Sequence, residues 1–198
     1  MSRIVIYIWL AAMTLGSSGC TTALKQTYYT ARGAQGKFYE VKAVDPDILA
    51  GYQSVRVEPF TNGLGQRVPS EVIAEVNENT PNAVAESGLF GPDGKLLLIK
   101  GVIIHFTGKS GLRGSVGSVI GGGEECVCRV QLLDAESSEV VGEAVCWGVV
   151  KSAVRRGSGQ LGVGVGKGVT EWLEKRLPDE IKETRKKEAE EREEAKHR

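Results

Sequence analysis

The chain has 198 residues, 41% of them hydrophobic and 25% charged, an ordinary globular composition with room for one domain plus tails. Twenty-five basic residues balance twenty-five acidic ones, so it lacks the positive field with which a non-specific nucleic-acid binder displaces counterions, and no nucleic-acid partner is expected. The first element lies at the start of the chain, where Arg3 precedes IVIYIWLAAMTL, Ile4 to Leu15, a run without charge. As a helix it would cover about 18 Å of a hydrocarbon core roughly 30 Å thick. Too short to span, it reads as the apolar region of a signal peptide, with an uncleaved anchor as the lesser alternative.

Gly16, Ser17, Ser18 and Gly19 follow, and then Cys20. Small residues let an extended chain enter a peptidase site, and their ending in a single thiol resembles the bacterial lipobox, in which that thiol takes a diacylglycerol before cleavage. The leucine usual three positions before the cysteine is replaced by Ser17, and Leu15 stands two positions too early. Ser17 and Gly19 would also suit an ordinary secretory peptidase. The lipobox resemblance implies that residues 1–19 are removed and that lipid-modified Cys20 becomes the mature N-terminus. Only Arg3 is lost from the charged residues, leaving twenty-four basic against twenty-five acidic, a net charge of minus one. Palmitate-type acyl chains, at about 0.8 kcal/mol per buried methylene, would make attachment effectively permanent. The next residue is Thr21, not the aspartate that in enteric bacteria resembles an inner-membrane retention signal. The expected address is therefore the periplasmic face of the outer membrane.

Residues 20–51 read as the lipidated N-terminus and a tether, polar and mixed, with Tyr28, Tyr29, Phe38 and Tyr39 among Lys, Thr and Gly. An α/β domain is expected over 52–177. It opens with Ser54 to Phe60, where Val55 and Val57 alternate with Arg56 and Glu58 as in a half-buried strand. Val72, Ile73, Val76, Ala83 and Val84 then recur at helical spacing, and Gly88 suits a left-handed C-terminal cap. Pro81 lacks the amide proton for the carbonyl four residues back, so a kink near Asn77 or a restart with Thr80 as N-cap is expected. Lys95 to Gly108 is apolar on both alternating sets, the pattern of a central strand covered on much of both faces.

Glu125 to Leu133 places Cys126, Cys128, Val130 and Leu132 on one face and Glu125, Arg129 and Gln131 on the other; after DAESSE, Val140 to Val150 is its hairpin partner. The face Val140, Gly142, Ala144, Cys146, Gly148 and Val150 is small enough for a helix to approach closely. That helix carries Leu161, Val165, Val169, Trp172, Leu173 and Leu177. Gly162, Gly164, Gly166 and Gly168 would each cost about 1 kcal/mol against alanine in an exposed helix, so close packing must offset them or the first turns must fray. Residues 178–198 are almost wholly charged, with pairs such as Glu183 with Lys187, and read as a charged helical or disordered tail. The fold class is α/β in the α+β sense: two layers, a mainly antiparallel sheet of about four strands with helices on one face, in the order strand, helix, three strands, helix.

From about Tyr52 to Leu177 the chain resembles a group of bacterial envelope proteins, often lipoproteins, catalogued only as a domain of unknown function. The resemblance rests on this order of elements, on GLF at Gly88 to Phe90, and on the block Phe106, Gly108, Arg113, Gly117, Gly123 and VQLLDAESSEVV. The family commonly has Asn or Asp where Lys109 stands, and ends the hairpin turn in glycine where Ser138 stands. It implies a single domain with no established activity and no catalytic residues to carry across.

No constellation for catalysis is legible. Gly157, Gly159 and Gly162 form a G-x-G-x-x-G string, but a dinucleotide fold needs a further parallel strand with an acidic residue about twenty positions on, where this chain enters its charged tail. Cys126, Cys128 and Cys146 read as small buried hydrophobes, with one disulfide to Cys146 as the alternative in an oxidising compartment. A metal site would need His105, which lies on the opposite alternation, so no metal and no cofactor is expected. A histidine-dependent nucleophile would also rest on His105 alone, since His197 lies in the tail. Glu124, Glu125 and Glu143 fit a strand's start and solvated sides. The glycine-rich stretch Gly108 to Gly123, with Lys109 and Arg113, is the expected contact loop. The functional expectation is a membrane-anchored, non-catalytic interaction or structural module with an envelope protein partner. A periplasmic small-molecule or lipid-binding carrier is the alternative, and it would require an apolar cleft between sheet and helices.

Overall fold

The computed structural model describes residues 34–108, 124–150 and 160–196. In chain order the elements are β1 (Gln35–Lys42), α1 (Pro46–Ala50), β2 (Ser54–Val57), β3 (Thr61–Asn62), a 3₁₀ turn (Gly65–Arg67), α2 (Ser70–Glu86), β4 (Leu96–Thr107), β5 (Glu124–Asp134), β6 (Val140–Val150), α3 (Gln160–Arg176) and α4 (Asp179–Lys196). One sheet of six strands runs β1-β6-β5-β4-β2, with β3 pairing farther along β4. The pairs β1/β6, β6/β5 and β5/β4 are antiparallel, while β2 and β3 run parallel to β4. A two-layer α+β fold with a mainly antiparallel sheet is therefore present, with more strands than the four expected.

The extra edge strand corrects the reading of residues 20–51 as a tether, because 35–51 belong to the fold. QGKFYEVK hides as a strand because its helix-side positions include Glu40, which sequence alone assigns to water. In the fold, Glu40 lies under α3, accepting from Trp172 Nε1 at 3.0 Å and from the Arg176 guanidinium. Burial works to raise its pKa, but those donors together hold the carboxyl below its ordinary value. Val44 and Leu49, also from the supposed tether, are buried core residues.

The covered sheet face is built from alternate residues: Leu97, Ile99 and Ile103 of β4; Cys126, Cys128, Val130 and Leu132 of β5; Ala144, Cys146 and Val150 of β6. Against it lie Leu161, Val165, Val169, Trp172 and Leu173 of α3. Glycines set the separation. A Cβ added to Gly164 would sit 2.6 Å from Gly148 Cα, and one on Gly168 would sit 2.5 Å from Lys37 O, so this edge of α3 touches strand backbone. Two residues around the helix, a Cβ on Gly162 would lie 2.3 Å from Glu75 O and one on Gly166 2.9 Å from Ala83 Cβ, so that edge touches α2. The two pairs, each spaced by four residues and interleaved by two, make α3 a wedge against sheet and helix at once.

Helix α2 runs as one assigned element from Ser70 to Glu86 through Pro81, so the expected restart with Thr80 as N-cap does not occur. Asn77, whose carbonyl Pro81 cannot reach with an amide, uses its side-chain Oδ1 to accept from Phe60 N at 2.6 Å and so ties the β2–β3 segment to the helix. Gly88 has φ of +65° just past the helix end, the left-handed cap its position implied. The charged tail is helical as α4 through Lys196. It is also docked: Arg185 donates to three main-chain carbonyls, Leu89 at 2.9 Å, Ala50 at 2.8 Å and Tyr52 at 2.9 Å.

Candidate functional site

Cys20, the expected lipid attachment site, and Lys109 and Arg113, the expected contact loop, lie outside the described residues, as do Gly157, Gly159 and His197. Gly162 opens no phosphate loop. It belongs to the first turn of α3, pressed on α2, and the element after α3 is another helix rather than a parallel strand.

The three remaining thiols come together on the covered sheet face and are wholly buried, all in the free state. Register places Cys128 directly opposite Cys146, whereas Cys126 faces Gly148. A hydrogen bond from the Cys128 thiol draws the Cys126 thiol down; the same bond and burial push Cys128 up. Burial pushes the Cys146 thiol up to about 12, so no thiolate is available there at neutral pH to attack or to bind metal. Among the described residues no three His, Cys, Asp or Glu side chains are grouped to hold a metal ion. We expect all three thiols of the native protein to resist alkylation at mildly alkaline pH and all three to react in concentrated guanidinium. A single reactive equivalent after unfolding would mean that two of the three are joined in a disulfide.

Asp134 closes the β5–β6 turn, its Oδ1 accepting from the main-chain amides of Glu136 at 3.0 Å and Ser137 at 2.9 Å, and its Oδ2 from Tyr52 Oη at 2.9 Å. Lys95 Nζ lies 2.8 Å from the same Oδ2. Lys95 and these donors hold the Asp134 carboxyl well below the usual carboxylate range. Ser138 in this turn adopts φ of +60°, a left-handed position that glycine takes at less cost. Glu143 is not a solvated carboxylate awaiting a partner: Arg129 Nε and Nη2 grip it at 2.9 and 3.0 Å, and Gln131 Nε2 donates at 2.8 Å. His105 Nε2 sits 2.9 Å from Thr107 Oγ1.

The space under the helices is occupied by backbone and side chains in direct contact, as the close approaches at Gly148, Gly162 and Gly164 require. A groove of about 360 Å³ lies on the solvent side of α2 and α3, lined by Asn79, Asn82, Glu86, Lys167, Thr170 and Glu174 together with Ala83 and Val163.

The other face of the sheet carries no helix among the described residues. Strand register aligns Tyr39, Val145, Arg129 and Val102 in one row across β1, β6, β5 and β4, and Lys37, Trp147, Val127 and His105 in the next. Tyr39 is 69% exposed, Val41 57%, Ile104 41% and Val102 37%. This corrects the expectation that the Lys95–Gly108 strand is covered on both sides. Nothing described pairs with the outer edge of β1. The signal for this surface was already present in β6, whose large residues Val145, Trp147 and Val149 alternate with small ones. The small set marks the covered face, and the large set then has no helix against it among the described residues.

No protein-family model matches the chain, and no curated protein matches it. Among solved structures it is similar to the PelC dodecamer from Paraburkholderia phytofirmans, at 13% identity and a TM-score of 0.47, over 70% of this chain and 98% of that one. A leucine-to-methionine variant of that dodecamer is similar at 15% identity with the same TM-score and coverage. No helix among the described residues is long and apolar enough to cross a membrane.

Proposed function

We propose that this chain is a lipid-anchored envelope protein that works as a non-catalytic interaction or structural module, held at the periplasmic face of the outer membrane through Cys20. The observation that carries this reading over a ligand carrier is the closed contact between α3 and the sheet. A carrier needs an apolar chamber between its layers, and here main chain meets main chain where that chamber would be. The reading as an interaction module is supported by the outer edge of β1, which no strand among the described residues pairs and whose main-chain groups can accept a strand from an envelope partner. Exposed Val41 marks that edge.

Two measurements test this. Intact mass of the protein extracted from membranes should show residues 1–19 absent and acyl mass on Cys20, and Cys20→Ser should move the protein out of the membrane fraction. A photo-crosslinking residue at Val41 should give one discrete protein adduct in intact cells, and the same residue at Glu78, on the helix layer, should give none. An unacylated N-terminus would end the anchoring part of the reading, and equal adducts at both positions would end the edge-docking part.

A further inference from the structure

We infer that the helix-free face of the sheet is a membrane-apposed surface, and that Tyr39 and Trp147 lie at the headgroup layer of the bilayer carrying the anchor. The inference rests on the anchoring reading above and adds an orientation to it.

Chain length supplies the first argument. Only fourteen residues separate Cys20 from Gln35, and a chain of that length cannot reach beyond about 50 Å even when fully extended. The anchor therefore confines the body to the neighbourhood of the bilayer, where a face of suitable chemistry can meet lipid. Gln35 is the first residue of β1, in the sheet layer, so the anchor pulls on that layer and not on the helices.

Charge decides between the two faces. Helix α2 carries four glutamates and no basic residue, and α4 carries eight acidic residues against six basic ones. An anionic lipid surface repels that layer. The open sheet face is mixed, with Lys37, Lys100 and Arg129 among its charged side chains, and two of these are already compensated, Lys100 by Glu58 at 3.3 Å and Arg129 by Glu143. Between them stand Val102, Val127, Val145, Trp147 and Tyr39. Tyrosine and tryptophan with lysine beside them, set among aliphatic side chains, form the composition that settles at a membrane–water interface, where ring and stem contact acyl chains and the polar ends stay wet. Laid flat in this way, the sheet turns its β1 edge sideways, parallel to the membrane, where a neighbouring envelope protein can meet it.

The chain has three tryptophans; Trp9 leaves with residues 1–19, and Trp172 is wholly buried in the core. Trp147 is thus the lone mature tryptophan able to approach lipid, and this makes the test direct. The acylated mature protein, residues 20–198, is reconstituted into phosphatidylethanolamine–phosphatidylglycerol vesicles with or without brominated acyl chains. Brominated lipid should remove about half of the emission if the two tryptophans contribute similarly, and Trp147→Phe should abolish the loss while leaving the Trp172 emission intact. Protein that floats with the vesicles yet shows no quenching overturns the orientation and leaves the anchor standing. If the unquenched protein also sediments as a dimer, the face belongs to a second copy. Protein that fails to float overturns anchor and orientation together.

Discussion

Gly164→Ala should lower the free energy of unfolding by about 3 kcal/mol, although the same change in an exposed helix would add about 1 kcal/mol through helix propensity. The reversal of sign comes from what the new methyl group meets. It would stand 2.6 Å from Gly148 Cα and 3.0 Å from Gln35 O, both main chain, so no rotamer change can relieve the contact. Helix α3 would have to lift from β1 and β6, loosening Val165 and Trp172 from the core. Gly148→Ala should act alike from the sheet side, its Cβ falling 2.3 Å from Leu161 O. Because a single displacement of α3 relieves both clashes, the double variant should cost less than the two single costs combined. Urea unfolding at constant slope measures all three, and a neutral or stabilising Gly164→Ala would refute the close-packed wedge. That result would also reopen the carrier reading, which needs slack between the layers.

Arg185→Ala should detach α4 and cost about 3 kcal/mol of local stability, since hydrogen bonds made by charged groups contribute about 1.5–3 kcal/mol each and part of the loss is recovered by water. One guanidinium closes the carbonyls of Leu89, Ala50 and Tyr52, joining the C-terminal end of α1 to the turn after α2. Burial lowers the pKa of this arginine, but the group stays ionised throughout the physiological range. Hydrogen exchange should show the amides of 179–196 losing protection while β4, β5 and β6 keep theirs, because few other contacts hold this highly charged helix. Arg185→Lys should recover only part of the effect, since an ammonium cannot reproduce the fork that reaches three acceptors. Undiminished protection in Arg185→Ala would mean that Ile181 and the Lys186–Glu174 pair suffice to seat the helix.

The open sheet face and the wedge of α3 are partly legible in the sequence, and for the same reason. Alternation along β6 separates a small set, Gly142, Ala144 and Gly148, from a large set, Val145, Trp147 and Val149, and a run of glycines inside a helical pattern demands a compensating contact. What alternation cannot say is which backbone fills each gap. Gly162 and Gly164 look equivalent in sequence, yet one faces α2 and the other faces β6 and β1. The strand at 35–42 was illegible because its inward carboxylate, Glu40, becomes acceptable only when Trp172 and Arg176, more than 130 residues away, arrive with donors. At Pro81 the restart does not occur for a related reason: a proline removes one local bond, and a helix pressed against α3 tolerates that loss where an isolated one would break.

The order of the main elements, the buried strand faces and the helix cap at Gly88 were properties of the sequence itself, since each follows from the period and chemistry of residues close along the chain. The place of β1 in the sheet, the pairing of Cys128 with Cys146 and the docking of α4 through Arg185 were decided only by tertiary structure. Each depends on which distant groups come within a few ångströms of one another, and periodicity along a strand or helix specifies a face without specifying what will meet it.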